Sequence, residues 1–163
     1  MDKILTTARL TNILLEMCVK PFGRNAVLDF DIPTMAQNIL KYSAKHKVEP
    51  LLCVAQGVVE SHFACNPSAS RSRKTKNIFN VGNVDDGSNK YFPDYASGLE
   101  RYFQLMDREY RWPEDKGGYV RMSTMARRDF QRPIGGRYAT APDYRKQVQY
   151  AHNRACELLN QMP

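Results

Sequence analysis

The sequence predicts a mainly α-helical chain with a short irregular or hairpin insertion after its central helix. Apolar residues recur at helical spacing in several separate stretches, and Pro and Gly mark the gaps between them. The polar run 66–92 breaks that rhythm, and within it Asp85-Asp86-Gly87 is a turn signal able to close a hairpin. With 163 residues, 42% of them hydrophobic and 25% charged, the chain can build one packed core. That composition excludes a disordered, collagen-like or disulfide-scaffold protein.

From Ile4 to Val19, the residues Ile4, Leu5, Ala8, Leu14, Leu15 and Cys18 roughly keep a helical period. Lys20 to Asp31, with Pro21, Gly23 and Asn25, reads as a linker. Residues 1–30 are therefore expected to form a helix and linker that can dock elsewhere, and 31–163 the main domain. A second helix follows Pro33, with Met35, Ala36, Ile39, Leu40 and Tyr42 on one side. It ends in Lys45, His46 and Lys47, which suit the negative end of a helix dipole. Pro50 opens a third helix, where its missing N–H costs nothing. Leu51, Leu52, Val54, Ala55, Val58 and Val59 make that helix apolar nearly all round, hence central. Helix resumes near Asp94, with Tyr95, Leu99, Tyr102, Phe103, Met106 and Tyr110 on one face. A short helix over 122–130 and a final one over 143–159, capped by Thr140 or Asp143, complete the chain.

Twenty-four Lys and Arg against seventeen Asp and Glu give a net charge of +7, concentrated toward the C-terminal part. Such a surface suits a polyanion (nucleic acid, acidic lipid or bacterial wall polymer) or serves solubility alone. Arg71, Arg73, Lys74 and Lys76 follow the central helix as a basic run, either an anion-attracting patch or a solvated loop. The four cysteines, at 18, 53, 65 and 156, form no CxxC pair and read as buried reduced thiols. Cys53, His62 and Cys65 lack the paired spacing of a zinc site. No apolar run is long enough to cross a bilayer, and the N-terminus has no signal-peptide pattern. The expected protein is made in a cytoplasm and needs another route to any extracellular work.

Glu60 is the most informative residue. It ends the most apolar helix, directly after Val58-Val59, where partial desolvation raises a carboxyl's pKa and keeps its proton near neutrality. A protonated carboxyl can act as a general acid, for example toward a glycosidic oxygen. The alternative is a solvated residue at a helix end. Gln56 and Gly57 lie on the same helical face, and a mid-helix Gly implies close approach by a substrate strand or another backbone.

The run Val54-Ala55-Gln56-Gly57-Val58-Val59-Glu60-Ser61-His62-Phe63, followed by Asn77-Ile78-Phe79-Asn80-Val81-Gly82, resembles the glucosaminidase family of peptidoglycan hydrolases. These are the flagellar- and autolysin-type β-N-acetylglucosaminidases, whose fold is lysozyme-like. The likeness continues through Phe92-Pro93-Asp94-Tyr95 and closes with Tyr138-Ala139-Thr140-Ala141-Pro142-Asp143-Tyr144, covering about residues 33–160. The resemblance implies a lysozyme-like helical domain in which Glu60 is the general acid and Tyr138 positions or stabilises the sugar at the cleavage point. Asn77 and Phe79 would line the glycan groove, with Gln56, His62 and Asn80 as further candidate contacts. Phe79 has core packing as its alternative, and His62 a surface or hydrogen-bonded role.

Two departures from the family pattern stand out. Many members carry a second carboxylate on a hairpin after the Asn-x-Phe segment, and this chain offers only Asp85 and Asp86 there, which also fit a plain turn. An inverting mechanism needs that carboxylate about 6.5–9.5 Å from the acid. Residues 60–70 also resemble lytic transglycosylases, which act with one Glu alone, although the Gly-Leu-Met-Gln element of that family is missing. The expectation is a peptidoglycan glycan-strand hydrolase that needs no cofactor or metal, a bacteriophage endolysin or virion-borne lysin. Residues 1–30 are its candidate dock to other virion proteins. The alternatives are a lytic transglycosylase and a non-catalytic, lysozyme-fold module that binds the wall. A nucleic-acid role would rest on charge alone, without a recognised motif.

Overall fold

Capping and turn chemistry set the helix boundaries in the computed structural model, which describes residues 4–82 and 89–163. The Thr6 hydroxyl accepts the Arg9 N–H and starts α1 (Thr7–Leu14), which runs on into a π turn (Leu15–Val19) and a 3-10 turn (Lys20–Asn25). Asp31 caps α2 (Ile32–His46) by accepting the Thr34 N–H at 2.9 Å, and Pro50 stands first in α3 (Pro50–Ser61). Asp94 caps α5 (Tyr95–Glu109) through the Ser97 N–H at 2.7 Å. Two further helices follow, α6 (Met122–Arg127) and α7 (Tyr144–Gln161). Asp143 stands at the N-cap of α7 without a side-chain capping bond, unlike the expectation. The described residues contain seven α-helices and no β-strand, as a mainly α chain requires.

The basic run is not a loop: Ser70–Thr75 forms α4, with Ser72 and Thr75 buried. Apolar periodicity misses it because its inward side chains are hydroxyls. Arg73 holds it in place by donating to the carbonyls of Ala64, Asn66 and Pro67 at 2.6–2.8 Å. Asp85, Asp86 and Gly87, the expected hairpin turn, lie outside the described residues.

Helix α3 is the centre of the fold, with every residue from Leu51 to Gly57 buried. It packs chiefly on α7, while α2 lies against α1 and α5. Leu10, Ile13, Leu14 and Cys18 belong to the same core, so the apolar face of the N-terminal segment is covered by α2 and α7 of its own chain. Cys53 and Cys65 are buried free thiols as well, whereas Cys156 is only partly covered.

After α3 the chain reverses through three consecutive left-handed residues, His62, Phe63 and Ala64 (φ 49°, 52° and 62°). Each such residue costs about 1–2 kcal/mol, so the turn survives only because packing fixes it. The turn folds the Phe63 ring back over α3, into the space a Cβ on Gly57 would occupy. The close approach that Gly57 signals in the sequence is thus Phe63, not a substrate strand. Gly98 in α5 is as tight, and a Cβ there would strike the less yielding backbone carbonyl of Lys76.

Substitution of either glycine by Ala is expected to destabilise the chain by about 1–3 kcal/mol, with Gly98→Ala the worse because a carbonyl yields less than a ring. Urea unfolding of both variants checks the order.

Candidate active site

Glu60 is the penultimate residue of α3 and opens onto a cleft of about 790 Å³. Its Oε2 accepts a 2.8 Å hydrogen bond from Asn80 Nδ2. Asn80 sits in the left-handed region (φ 53°), which Asn tolerates better than most residues, and this aims its amide at Glu60. Arg71 of α4 donates to Asn80 Oδ1 at 2.8 Å and so fixes which end of the amide faces the carboxyl. The Tyr144 hydroxyl of α7 also stands by Glu60 and favours its ionised form.

Burial pushes the Glu60 carboxyl above its usual range, against the pull of the Asn80 and Tyr144 hydrogen bonds and the Arg71 charge. Behind it, Gln56 Nε2 donates to the Tyr144 hydroxyl at 3.0 Å, and the Tyr102 hydroxyl donates to Gln56 Oε1 at 2.7 Å. Burial also drives the phenols of Tyr102, Tyr138 and Tyr144 well above their ordinary value, so all three stay neutral.

Tyr138 lines the cleft with Glu60. Its hydroxyl donates to the Phe79 carbonyl at 3.1 Å, and its ring stacks on Tyr144 with centroids 5.7 Å apart. Asn80 and Phe79 border the same cleft, but the Phe79 ring is 1% exposed and stacks on Tyr102 at 4.0 Å.

Three other sequence candidates sit elsewhere. Gln56 is fully buried and serves the tyrosine network instead of facing a ligand. Asn77 is buried too, and organises its own loop: its Oδ1 accepts the Val81 N–H and its Nδ2 donates to the Val81 carbonyl, both at 3.0 Å. His62 packs edge-on against Phe22, and burial lowers its pKa. Asp85 and Asp86 lie outside the described residues.

Sequence reasoning missed three contributors. Tyr144 reads as a core residue at helical spacing, and it is one, but its hydroxyl reaches Glu60. Arg71 hid within a charge run. Glu109, the last residue of α5, lines the cleft and pairs with Arg132 at 2.9 Å. Arg101, Arg132 and Arg137 make this cleft basic overall. Among the described residues no cluster of His, Cys, Asp and Glu has metal-site geometry, and no helix is long and apolar enough to cross a membrane. No family model, curated protein or solved structure matches the chain.

Because folding raises the Glu60 pKa, ionising this carboxyl costs stability. That cost is absent below the unfolded value, about pH 4, and grows as pH rises through the raised folded value. Glu60→Gln is therefore expected to be more stable than the wild type at pH 8, with the gap closing by pH 4. Denaturant titrations at the two pH values check the sign.

Proposed function

We propose that the chain cleaves the glycan strand of bacterial peptidoglycan, with Glu60 as the general acid. The observation that carries this reading is a carboxyl whose pKa burial raises, at the end of a central helix, on the wall of an open cleft. Proton donation to the glycosidic oxygen leaves Glu60 ionised. Asn80 already hydrogen-bonds the carboxyl and the Tyr144 hydroxyl stands by it, so the anion forms beside groups that need no rearrangement. Burial favours the protonated form that donation needs, and these two groups ease the proton's departure.

Tyr138, neutral and tied to the Phe79 carbonyl, is a wall against which a sugar ring packs close to the acid. The arginines lining the cleft suit a strand bearing lactyl and peptide carboxylates. Glu109 lines the same cleft and is the described candidate for the second carboxylate, which would hold the attacking water of a hydrolase. Its ion pair with Arg132 favours a second reading: Glu109 is structural, Glu60 acts alone, and the product is the anhydro sugar of a lytic transglycosylase. The basic charge and the sequence resemblance also support a phage lysin acting at the wall.

Mass spectrometry of muropeptides released from purified peptidoglycan tests the proposal. Glu60→Gln is expected to lower release at least about a thousandfold with circular dichroism unchanged. Undiminished release would remove Glu60 from the chemistry, and no release by the wild type would leave a wall-binding module. Reducing sugar ends that vanish with Glu109→Gln support the hydrolase, whereas anhydro ends insensitive to that substitution support the transglycosylase.

Activity is expected to fall as pH rises through the Glu60 value. Asn80→Ala removes a donor that lowers this value, so its alkaline limb should shift to higher pH while the maximal rate drops. A pH–rate profile of the two proteins decides.

A further inference from the structure

A second cavity, of about 660 Å³, opens beside the start of α3 and the C-terminal half of α7, and shares no lining residue with the Glu60 cleft. On its wall Cys156, His152 and Glu49 stand in line. Cys156 Sγ lies 3.8 Å from His152 Nδ1, and His152 Nε2 lies 2.6 Å from Glu49 Oε1. The other Glu49 oxygen accepts the Met122 N–H at 2.7 Å, so the carboxylate cannot swing away. This is the order of nucleophile, imidazole and orienting carboxylate that activates a thiol.

The charges agree with it. Burial alone would lower the His152 pKa, but its bonds to Cys156 and Glu49 raise it to about 9, so the imidazolium persists at neutral pH. Burial likewise pushes Glu49 up, and the His152 pair, the Met122 N–H and Arg121 bring it below the usual carboxylate range. The reactive form of a thiol is the thiolate, and the His152 ring that would face it lies 3.8 Å from Cys156 Sγ. Cys18, Cys53 and Cys65 are fully buried, whereas Cys156 lines the cavity.

We propose that Cys156 is a thiol–disulfide exchange site for small peptide disulfides of the glutathione type. The Cys156 thiolate attacks one sulfur of the disulfide. A bond from Sγ to that sulfur forms as the S–S bond breaks, and the other half leaves as a thiolate that takes the imidazolium proton. The cavity has room for the retained half, and Arg121 on its wall offers a cation to a peptide carboxylate. His152 activates the thiol, and Glu49 positions His152.

The test measures iodoacetamide and glutathione-disulfide labelling of the reduced full chain at pH 7, mapped by mass spectrometry. Cys156 is expected to react at least about tenfold faster in the native chain than in the guanidinium-unfolded chain, and to carry the mixed disulfide. His152→Gln should lose that advantage at pH 7 and regain the wild-type rate near pH 10, a crossover that a merely structural histidine would not produce. Glu49→Gln should lose part of it, and Glu49→Asp should restore some. A native rate at or below the unfolded one, or an adduct on another cysteine first, overturns the proposal. The native-to-unfolded ratio needs no variant to fold, and neither result bears on Glu60.

Discussion

A buried line from Tyr102 through Gln56 and Tyr144 to Glu60, hydrogen-bonded as far as Tyr144, organises the molecule, because it joins α5, α3 and α7 through the most apolar part of the core. A fully buried amide without partners costs on the order of 1–3 kcal/mol or more. Gln56 therefore dictates that a hydroxyl from each neighbouring helix arrive at it in register. Once that register is set, Tyr144 has one direction left, toward the end of α3, and Glu60 is there. The helix packing and the placement of the acid are consequences of one constraint.

The second constraint is the reversal after α3. Three left-handed residues in a row are unfavourable, and they are held by Phe63 against Gly57, by Ser61 accepting the Ala64 N–H at 2.9 Å, and by Arg73 gathering three carbonyls. The Ser61 hydroxyl also donates to the Ile78 carbonyl at 3.1 Å, which brings the 77–81 loop beneath the acid. Asn77 then ties that loop to itself, and Asn80 is delivered to Glu60. The resemblance that singles out Asn77, Phe79 and Asn80 thus marks one donor to Glu60 and two parts of its mounting.

The helices were legible in the sequence wherever apolar residues kept a period: α2, α3, α5 and α7 lie within a residue or two of the expected spans. Helix α4 was not, because its buried side chains are Ser and Thr and it is held by its own Arg73, which donates to carbonyls of the preceding turn. Glu60 was legible because its neighbours Val58 and Val59 announce burial, and burial alone sets the direction of its pKa. Gln56 was misread because a polar residue four positions from an acid shares its face on a helical wheel. The wheel does not show that this face is covered by α5 and α7. Tyr144 shows the converse: periodicity assigns the ring to the core correctly and says nothing of where the hydroxyl ends.

The two carboxylates that bound α3 show how far placement decides chemistry. Glu49 precedes the helix, where the dipole favours an anion, and it has a cationic His152 and a backbone N–H as partners. Glu60 lies in the last turn, where the dipole disfavours an anion, and beside it stand a neutral amide that donates to it and a neutral phenol. Burial opposes ionisation at both. It loses at Glu49, where an imidazolium pairs with the carboxylate, and wins at Glu60, where neutral dipoles and the Arg71 charge do not outweigh it. Helix α7 supplies a decisive partner in each case, His152 to the first and Tyr144 to the second, eight residues apart on one face. A shift of α7 along α3 would therefore unmake both arrangements together. The close packing of these two helices is what lets one chain push one carboxyl's pKa down and the other's up.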